Sequence, residues 1–363
     1  MKLVAESGLW STGPQSTPTP LVAVLEVSGA VLSWTIDDAA VAPTITFTDV
    51  SRADWLWRLL GESGHSAVAA AMNGRLPDNA QTIDVNGVAV LPGSVDQLRR
   101  LALGHWMRRW WPASHRDGIA ALNGALLDAE IALLTSGAQD FFGDDTFDSD
   151  MAGLLAGHSA ALNELVRVGD PRVVDLVRSA SELTDDVGIV LAEPVATAPQ
   201  RDDYALAAGA DRDRRATEAI ARGTTSVAWA GVPPAIFDAA ENTVDWHVEA
   251  AAPGVDAVVA VELLGSGSPA GIAARLRAGD LRGEGVLDYR GHARFPLLDA
   301  QQQPVTESAA WNHDWQFPRL TVGVDVDESA QTRGRVRDFA RVRLAAPAGD
   351  AFLAEILAAE SDY

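Results

Sequence analysis

The spacing of the apolar residues changes period along the chain, and that change excludes a fold built from one kind of element. Between residues 94 and 191 one-face positions recur every three or four residues: Leu98, Leu101, Ala102 and His105, then Leu126, Leu127, Ile131 and Leu134, then Leu154, Leu155, His158, Leu162, Leu165 and Val166. Residues at that spacing share one side of an α-helix. Ser94 with Gln97 three residues on fits the pattern of a capping box, Pro112 is expected to stop the first helix, and Gly143 and Gly169-Asp170-Pro171 to separate those that follow. Helices are expected over Ser94–Trp110, Leu122–Phe142, Asp150–Val168 and Arg172–Leu191, and their short connections predict an antiparallel bundle over 93–193.

After Gly223 the period falls to two. Short β-rich runs follow at Thr225–Trp229, Thr243–Glu249, Ala257–Leu264, Ile272–Leu276, Gly285–Tyr289, Ala293–Leu298 and Leu320–Val326. Turn residues divide them at the spacing of a β-sandwich, predicted for 224–330. Helical patterning returns at Arg333–Leu344 and Asp350–Ala359, so 331–363 is expected to close the sandwich with helices. Before the bundle, 1–20 reads as a flexible lead-in because Pro14, Pro18, Pro20 and Ser/Thr residues break any period. Residues 21–92 read as a small α+β region: strands at Leu21–Val27, Ala30–Ile36 and Thr44–Thr48, a Ser28-Gly29 hairpin turn, a helix at Asp54–Leu60, and a second hairpin around Asn86-Gly87. Residues 194–223 are expected to be a linker carrying a helix at Tyr204–Arg222. The fold class is therefore multi-domain α+β.

Composition narrows the partners. The 363-residue chain carries a net charge of −22. Nucleic-acid binding is largely phosphate neutralisation by Lys and Arg, so a field of this sign opposes it unless a local basic patch defeats the average. It also repels an anionic membrane surface. Lys2 is the only lysine, and the Arg-, Ala- and Gly-rich usage resembles that of a GC-rich bacterial genome. There is no cysteine, which excludes disulfides, thiolate metal sites and cysteine nucleophiles. The apolar run Leu21–Val27 is too short for a signal or membrane segment and contains Glu26, so a cytoplasmic setting is expected.

One local pattern resembles a known family. The stretch from Gly285 through Asp288 and Gly291 to Phe295 and Leu297 is similar to a recurrent edge in transthyretin-like and carboxypeptidase-regulatory-like sandwiches. The resemblance implies a strand, an Asp-x-x-Gly turn and a returning strand as a hairpin, in a scaffold or adhesion module without catalytic residues. The residues suit this: Asp288 can cap the turn, Gly291 can take positive φ, and Phe295 can point into a core.

Candidate chemistry is sparse. Asp144, Thr146, Asp148 and Asp150 have the alternate spacing of a calcium loop, but Ser149 stands where glycine is needed and Leu155 where glutamate is needed. The acidic groups then serve the N-terminus of the next helix, and no metal is expected. His105, His115, His158 and Glu164 lack the two-His spacing of a zinc protease, and His158 lies on its helix's apolar stripe. Trp311-Asn-His313-Asp314-Trp315 and Asp245-Trp246-His247 group acid/base residues, but no Gly-x-Ser-x-Gly elbow supplies a nucleophile. The tryptophans 246, 311 and 315 are expected to fill the sandwich. Trp106, Arg108, Arg109, Trp110 and Trp111 concentrate cation and indole on one helix, a pattern that binds an acidic peptide by cation–π contacts or buries its indoles. No phosphate loop or dinucleotide fingerprint occurs, so no cofactor is expected. These readings point to a non-enzymatic bacterial accessory or adaptor protein with a protein partner. The alternative is a metal-assisted hydrolase using His158, His313 or Asp314.

Overall fold

The computed structural model describes residues 1–13, 18–38, 41–77, 81–142, 148–187, 219–265 and 267–361. The protein is mixed α+β, with antiparallel sheets, and divides into two compact units: Met1–Trp111, Leu122–Val195 and Gly334–Tyr363 in the first, Pro112–Ala121 and Ala196–Arg333 in the second. No helix among the described residues is long and apolar enough to cross a membrane.

The first unit opens with strands β1 (Lys2–Glu6), β2 (Leu9–Ser11), β3 (Val22–Val27), β4 (Ala30–Thr35), β5 (Thr44–Phe47) and β6 (Thr82–Asp84), in sheet order β3-β4-β5-β2-β1-β6. The expected lead-in is thus incorrect. Leu3, Ala5 and Trp10 are buried, and the Met1 amine donates to the carbonyls of Val85 and Val88 at 3.0 and 2.9 Å. Their alternation is only a few residues long and is followed by prolines, so composition hid it. The Ser28-Gly29 turn joins β3 to β4 as expected, with Val27 opposite Ala30. The second hairpin does not form: after β6 the chain turns at Gly87, and Leu91 N–H bonds to Leu59 O at 2.7 Å.

Helix α1 (Leu56–Met72) runs past the expected stop because Gly61, at φ +72°, kinks the backbone without ending it. Four more helices follow at α2 (Asp96–Trp110), α3 (Gly124–Phe142), α4 (Asp148–Leu155) and α5 (Ser159–Val168), then α6 (Pro171–Val187). The expected third helix is two, because Gly157 takes the left-handed conformation (φ +82°) between α4 and α5. Helix α3 packs against α2, α4 and α6, while α2 also lies on β3. The expected small α+β region and the helical region therefore belong to one unit. At the α2–α3 contact a Cβ on Gly104 would stand 2.6 Å from Ile131 Cγ1, so the helices approach as closely as only glycine allows. The expected linker and its helix lie outside the described residues, apart from the last few.

The second unit contains β7 (Ala221–Thr225), β8 (Val244–Ala251), β9 (Gly254–Val261), β10 (Ala273–Ala278), β11 (Leu281–Val286) and β12 (His292–Pro296), then α7 (Glu307–Trp311) and β13 (Arg319–Val322). One sheet has the order β12-β9-β8-β7 and the other β11-β10-β13. Val244, Trp246, Val248, Val259, Leu276, Phe295 and Leu320, from both sheets, join one core. The Asp288–Gly291 turn forms as the resemblance implies, with Asp288 Oδ1 accepting from the N–H groups of Arg290 (2.8 Å) and His292 (2.9 Å). The flanking strands do not pair as a hairpin ladder. Strand β11 pairs with β10 and β12 with β9, so the turn carries the chain from one sheet to the other. Phe295 is buried against Gly283 and Gly285, where any Cβ would strike its ring. Segment 112–121 is tied into this unit by Asp238, whose carboxylate accepts from Ser114 Oγ (2.6 Å) and the N–H groups of His115 (2.7 Å), Arg116 (3.3 Å) and Ala240 (2.9 Å).

The C-terminal helices α8 (Ala330–Ala345) and α9 (Leu353–Ser361) do not close the β unit as expected. From Gly334 onward they belong to the first unit. Buried charge holds them there. Arg343 grips Glu355 with two hydrogen bonds of 2.5 and 2.7 Å, and also reaches Asp350 at 3.1 Å. Arg99 pairs with the other Asp350 oxygen at 3.0 Å. Glu130 on α3 pairs with Arg100 and accepts from Leu353 N–H at 2.8 Å. Burial pushes the Glu130 carboxyl above its ordinary range, against the pull of that N–H and of Arg100.

Breaking the buried pair by Arg343→Leu strands the Glu355 carboxylate, so the first unit is expected to lose about 3–5 kcal/mol in urea unfolding. The double variant Arg343→Leu/Glu355→Leu is expected to recover part of that loss. In the second unit, burial would raise the Asp238 carboxyl, but its four hydrogen bonds outweigh burial and hold it below the usual carboxylate range. A depressed folded value contributes stability above the unfolded value, about 3.9, and that contribution is lost as pH falls through the folded one. Asp238→Asn is therefore expected to flatten the acid limb of the second unit's stability below the unfolded carboxyl's range, measured by unfolding at a series of pH values.

Candidate functional site

Two groups of residues singled out by sequence meet on a third that sequence did not flag. Helix α2 carries Trp106 buried, edge-on to the Phe339 ring at 5.4 Å, with its indole N–H donating to Pro20 O at 2.6 Å. Arg109 stacks over the half-buried Trp110 at 4.2 Å, and Trp111 is also half-buried. Arg108 points outward and places its Nε 2.6 Å from Oδ1 of Asp128 on α3. His158, which stands at the N-terminus of α5 just after the Gly157 break, places its Nε2 2.9 Å from Oδ2 of the same carboxylate.

Asp128 is 6% exposed, and a carboxylate so buried requires compensation. Arg108 supplies charge without aiming an N–H at Oδ1, which has no hydrogen-bonding partner among the described residues. His158 supplies a directed bond. With Nε2–H donating to Asp128, the imidazole is fixed in orientation and its basic nitrogen is Nδ1. Ser159 Oγ beside it is buried with no partner among the described residues. A carboxylate-oriented imidazole is one half of a general-base apparatus. No group of three His, Asp or Glu residues among the described residues can hold a metal ion. Asp144 and Thr146 of the acidic stretch lie outside the described residues, as do the side chains of Asp148 and Asp150.

His313 and Asp314 belong to the second unit, in the loop between α7 and β13, whereas His158 belongs to the first. His313 lies edge-on to Trp315 at 5.0 Å, and exposed Asp314 caps its own loop by accepting from Gln316 N–H at 3.0 Å. Trp315 is anchored from its indole N–H to Ala310 O at 2.9 Å and lies 6.4 Å from the Trp246 ring. Trp311, expected in the core, is instead 56% exposed, and Phe317 is 89% exposed. Residue 311 ends α7 on its outer side, where helical spacing from buried Ala310 carries it away from the core. His247 pairs with Glu249 at 3.2 Å on the surface of β8.

A cavity of about 400 Å³ lies between the start of α2 and the end of α3, bordered by Ser94, Gln97, Leu134, Gly137, Asp140 and Phe141. Among the described residues that border it, Asp140 is the one titratable side chain. No protein-family model matches the chain, and no match to it is found among curated proteins or solved structures.

If Asp128 serves to hold the α4–α5 elbow against α2, Asp128→Ala is expected to cost about 1–3 kcal/mol in unfolding free energy. A double-mutant cycle with His158→Ala is expected to give a coupling above about 0.5 kcal/mol.

Proposed function

We propose that the chain is a non-enzymatic accessory or adaptor protein that holds a protein partner, and that the loop from Trp311 to Phe317 is a point of contact. The observation that carries this reading is the pair of large aromatic side chains presented to solvent, Trp311 at 56% and Phe317 at 89% exposure, on either side of the anchored Trp315. Aromatic side chains dominate binding energy at protein interfaces. A loop already fixed at its centre loses little conformational entropy on binding. Trp106 and Arg108 of the α2 cluster are engaged within the first unit, and Arg109 is stacked on Trp110, so the contact is placed on the 311–317 loop instead. In this reading the first unit's helices are an antiparallel bundle laid on a sheet. The second unit is a β-sandwich of transthyretin- or immunoglobulin-like kind, acting as a scaffold in a cytoplasmic bacterial assembly without cofactor, membrane or nucleic acid.

The metal-assisted hydrolase reading rests on the His158–Asp128 contact alone. A stoichiometric transition metal bound to the purified protein and lost on His158→Ala would favour it. The adaptor reading is tested by purifying the tagged chain from its native host. A stoichiometric partner is expected with the wild type and is expected to be lost with Trp311→Ser/Phe317→Ser, whose unfolding midpoint stays unchanged. Full retention of the partner by that variant removes the loop from the interface.

A further inference from the structure

The three-stranded sheet β11-β10-β13 carries an arrangement that its own fold does not explain. Arg277 on β10 lies directly opposite Arg282 on β11 and directly opposite Arg319 on β13. All three are exposed, so they form one row of guanidinium groups across the outer face of the sheet. Directly opposed cross-strand residues have Cβ atoms about 4.5–5.5 Å apart, and like charges so placed repel. The next row shows how such a face is ordinarily neutralised: Arg275 lies opposite Glu284 and pairs with it at 3.0 Å. In the arginine row Arg319 pairs with Asp325 at 2.5 Å. Arg282 is held by a neutral group, its Nε donating to the side-chain oxygen of Gln302 at 2.8 Å in the amide orientation that hydrogen bonding requires. Arg277, at the centre, has no counter-ion among the described residues. Asp280 at the hairpin tip makes no ion pair with the row there. Phe317 stands two residues before Arg319 and is almost wholly exposed.

We infer that this row is a binding face for a carboxylate-bearing peptide segment of a partner protein, with Arg277 as its central contact. This deepens, and rests on, the interaction reading above. Adjacent guanidinium groups take carboxylates through paired N–H donors, and the exposed Phe317 ring offers an apolar contact beside them. A long polyanion such as nucleic acid is disfavoured, because it would extend beyond the row into the field of a chain with net charge −22. A short acidic segment meets only the row.

The test uses the full chain and a short fluorescein-labelled peptide of Asp and Glu with one Phe, followed by fluorescence anisotropy. Binding is expected to weaken with added salt and to fall at least about tenfold on Arg277→Ala, and further on Arg277→Ala/Arg282→Ala. A peptide with Lys in place of the acids is expected not to bind. Arg277→Gln is expected to raise the second unit's unfolding midpoint, since it relieves repulsion. A lowered midpoint would make Arg277 a structural residue and overturn the inference. Absence of peptide binding, or binding indifferent to Arg277→Ala, would also overturn it. Competition by an oligothymidylate at equal or lower concentration would overturn the peptide assignment. If the native partner is retained by Arg277→Ala/Arg282→Ala yet lost with Trp311→Ser/Phe317→Ser, the interaction reading stands and this face is discarded.

Discussion

Two opposite charges removed from water hold the first unit's C-terminal segment in place. Arg343 and Glu355 are both buried, Glu355 completely, and each is costly to desolvate alone. Their two-pronged contact is extended on each side: Phe352 N–H donates to Glu355, and Asp350 bridges Arg343 to Arg99 on α2. Phe352 then enters the space that Gly104 leaves open, with its ring beneath the Arg100 guanidinium. Apolar packing and charge therefore act at the same place. Such a network specifies one docking position more sharply than an apolar patch, because a shifted helix would leave a charge unpaired.

Much of this fold was legible in the chain. Five of the seven β runs expected after Gly223, and the helical stretches after Ser94, stand close to where periodicity put them, since each follows from its own side-chain spacing. The runs expected at Thr225–Trp229 and Gly285–Tyr289 are displaced towards the N-terminus, to Ala221–Thr225 and Leu281–Val286. What escaped were features decided by residues far apart. Strands β1 and β2 are too short to signal themselves and are fixed by pairing with each other and with β5 and β6. The Asp288 turn was readable, but which sheet each flanking strand joins was not, because that depends on β9 and β10. The outward position of Trp311 depends on where α7 packs.

The same distinction applies to the sites. His158 and Arg108 were conspicuous by type, yet Asp128, which they share, sits on a helical face among Leu and Ala with no local motif. Its only mark is an acid inside an apolar stripe, which becomes informative once its partners are known. The row of arginines was illegible for the same reason, since Arg319 is brought beside Arg277 only by strand register. Net charge pointed the other way: a strongly acidic chain conceals a local positive face in its average.

Neither unit is a continuous stretch of chain. Segment 112–121 leaves the first unit to satisfy Asp238 in the second, and residues from Gly334 onward return to the first. During synthesis the first unit therefore begins before the second and cannot finish until the residues carrying Arg343, Phe352 and Glu355 have emerged. Until then α2 and α3 present an open apolar seam, with Arg100 and Glu130 lacking their backbone partners at Asp350, Ala351 and Leu353. The first unit is thus begun before the second and completed after it, so its α2–α3 seam stays open while the chain of the second unit is made.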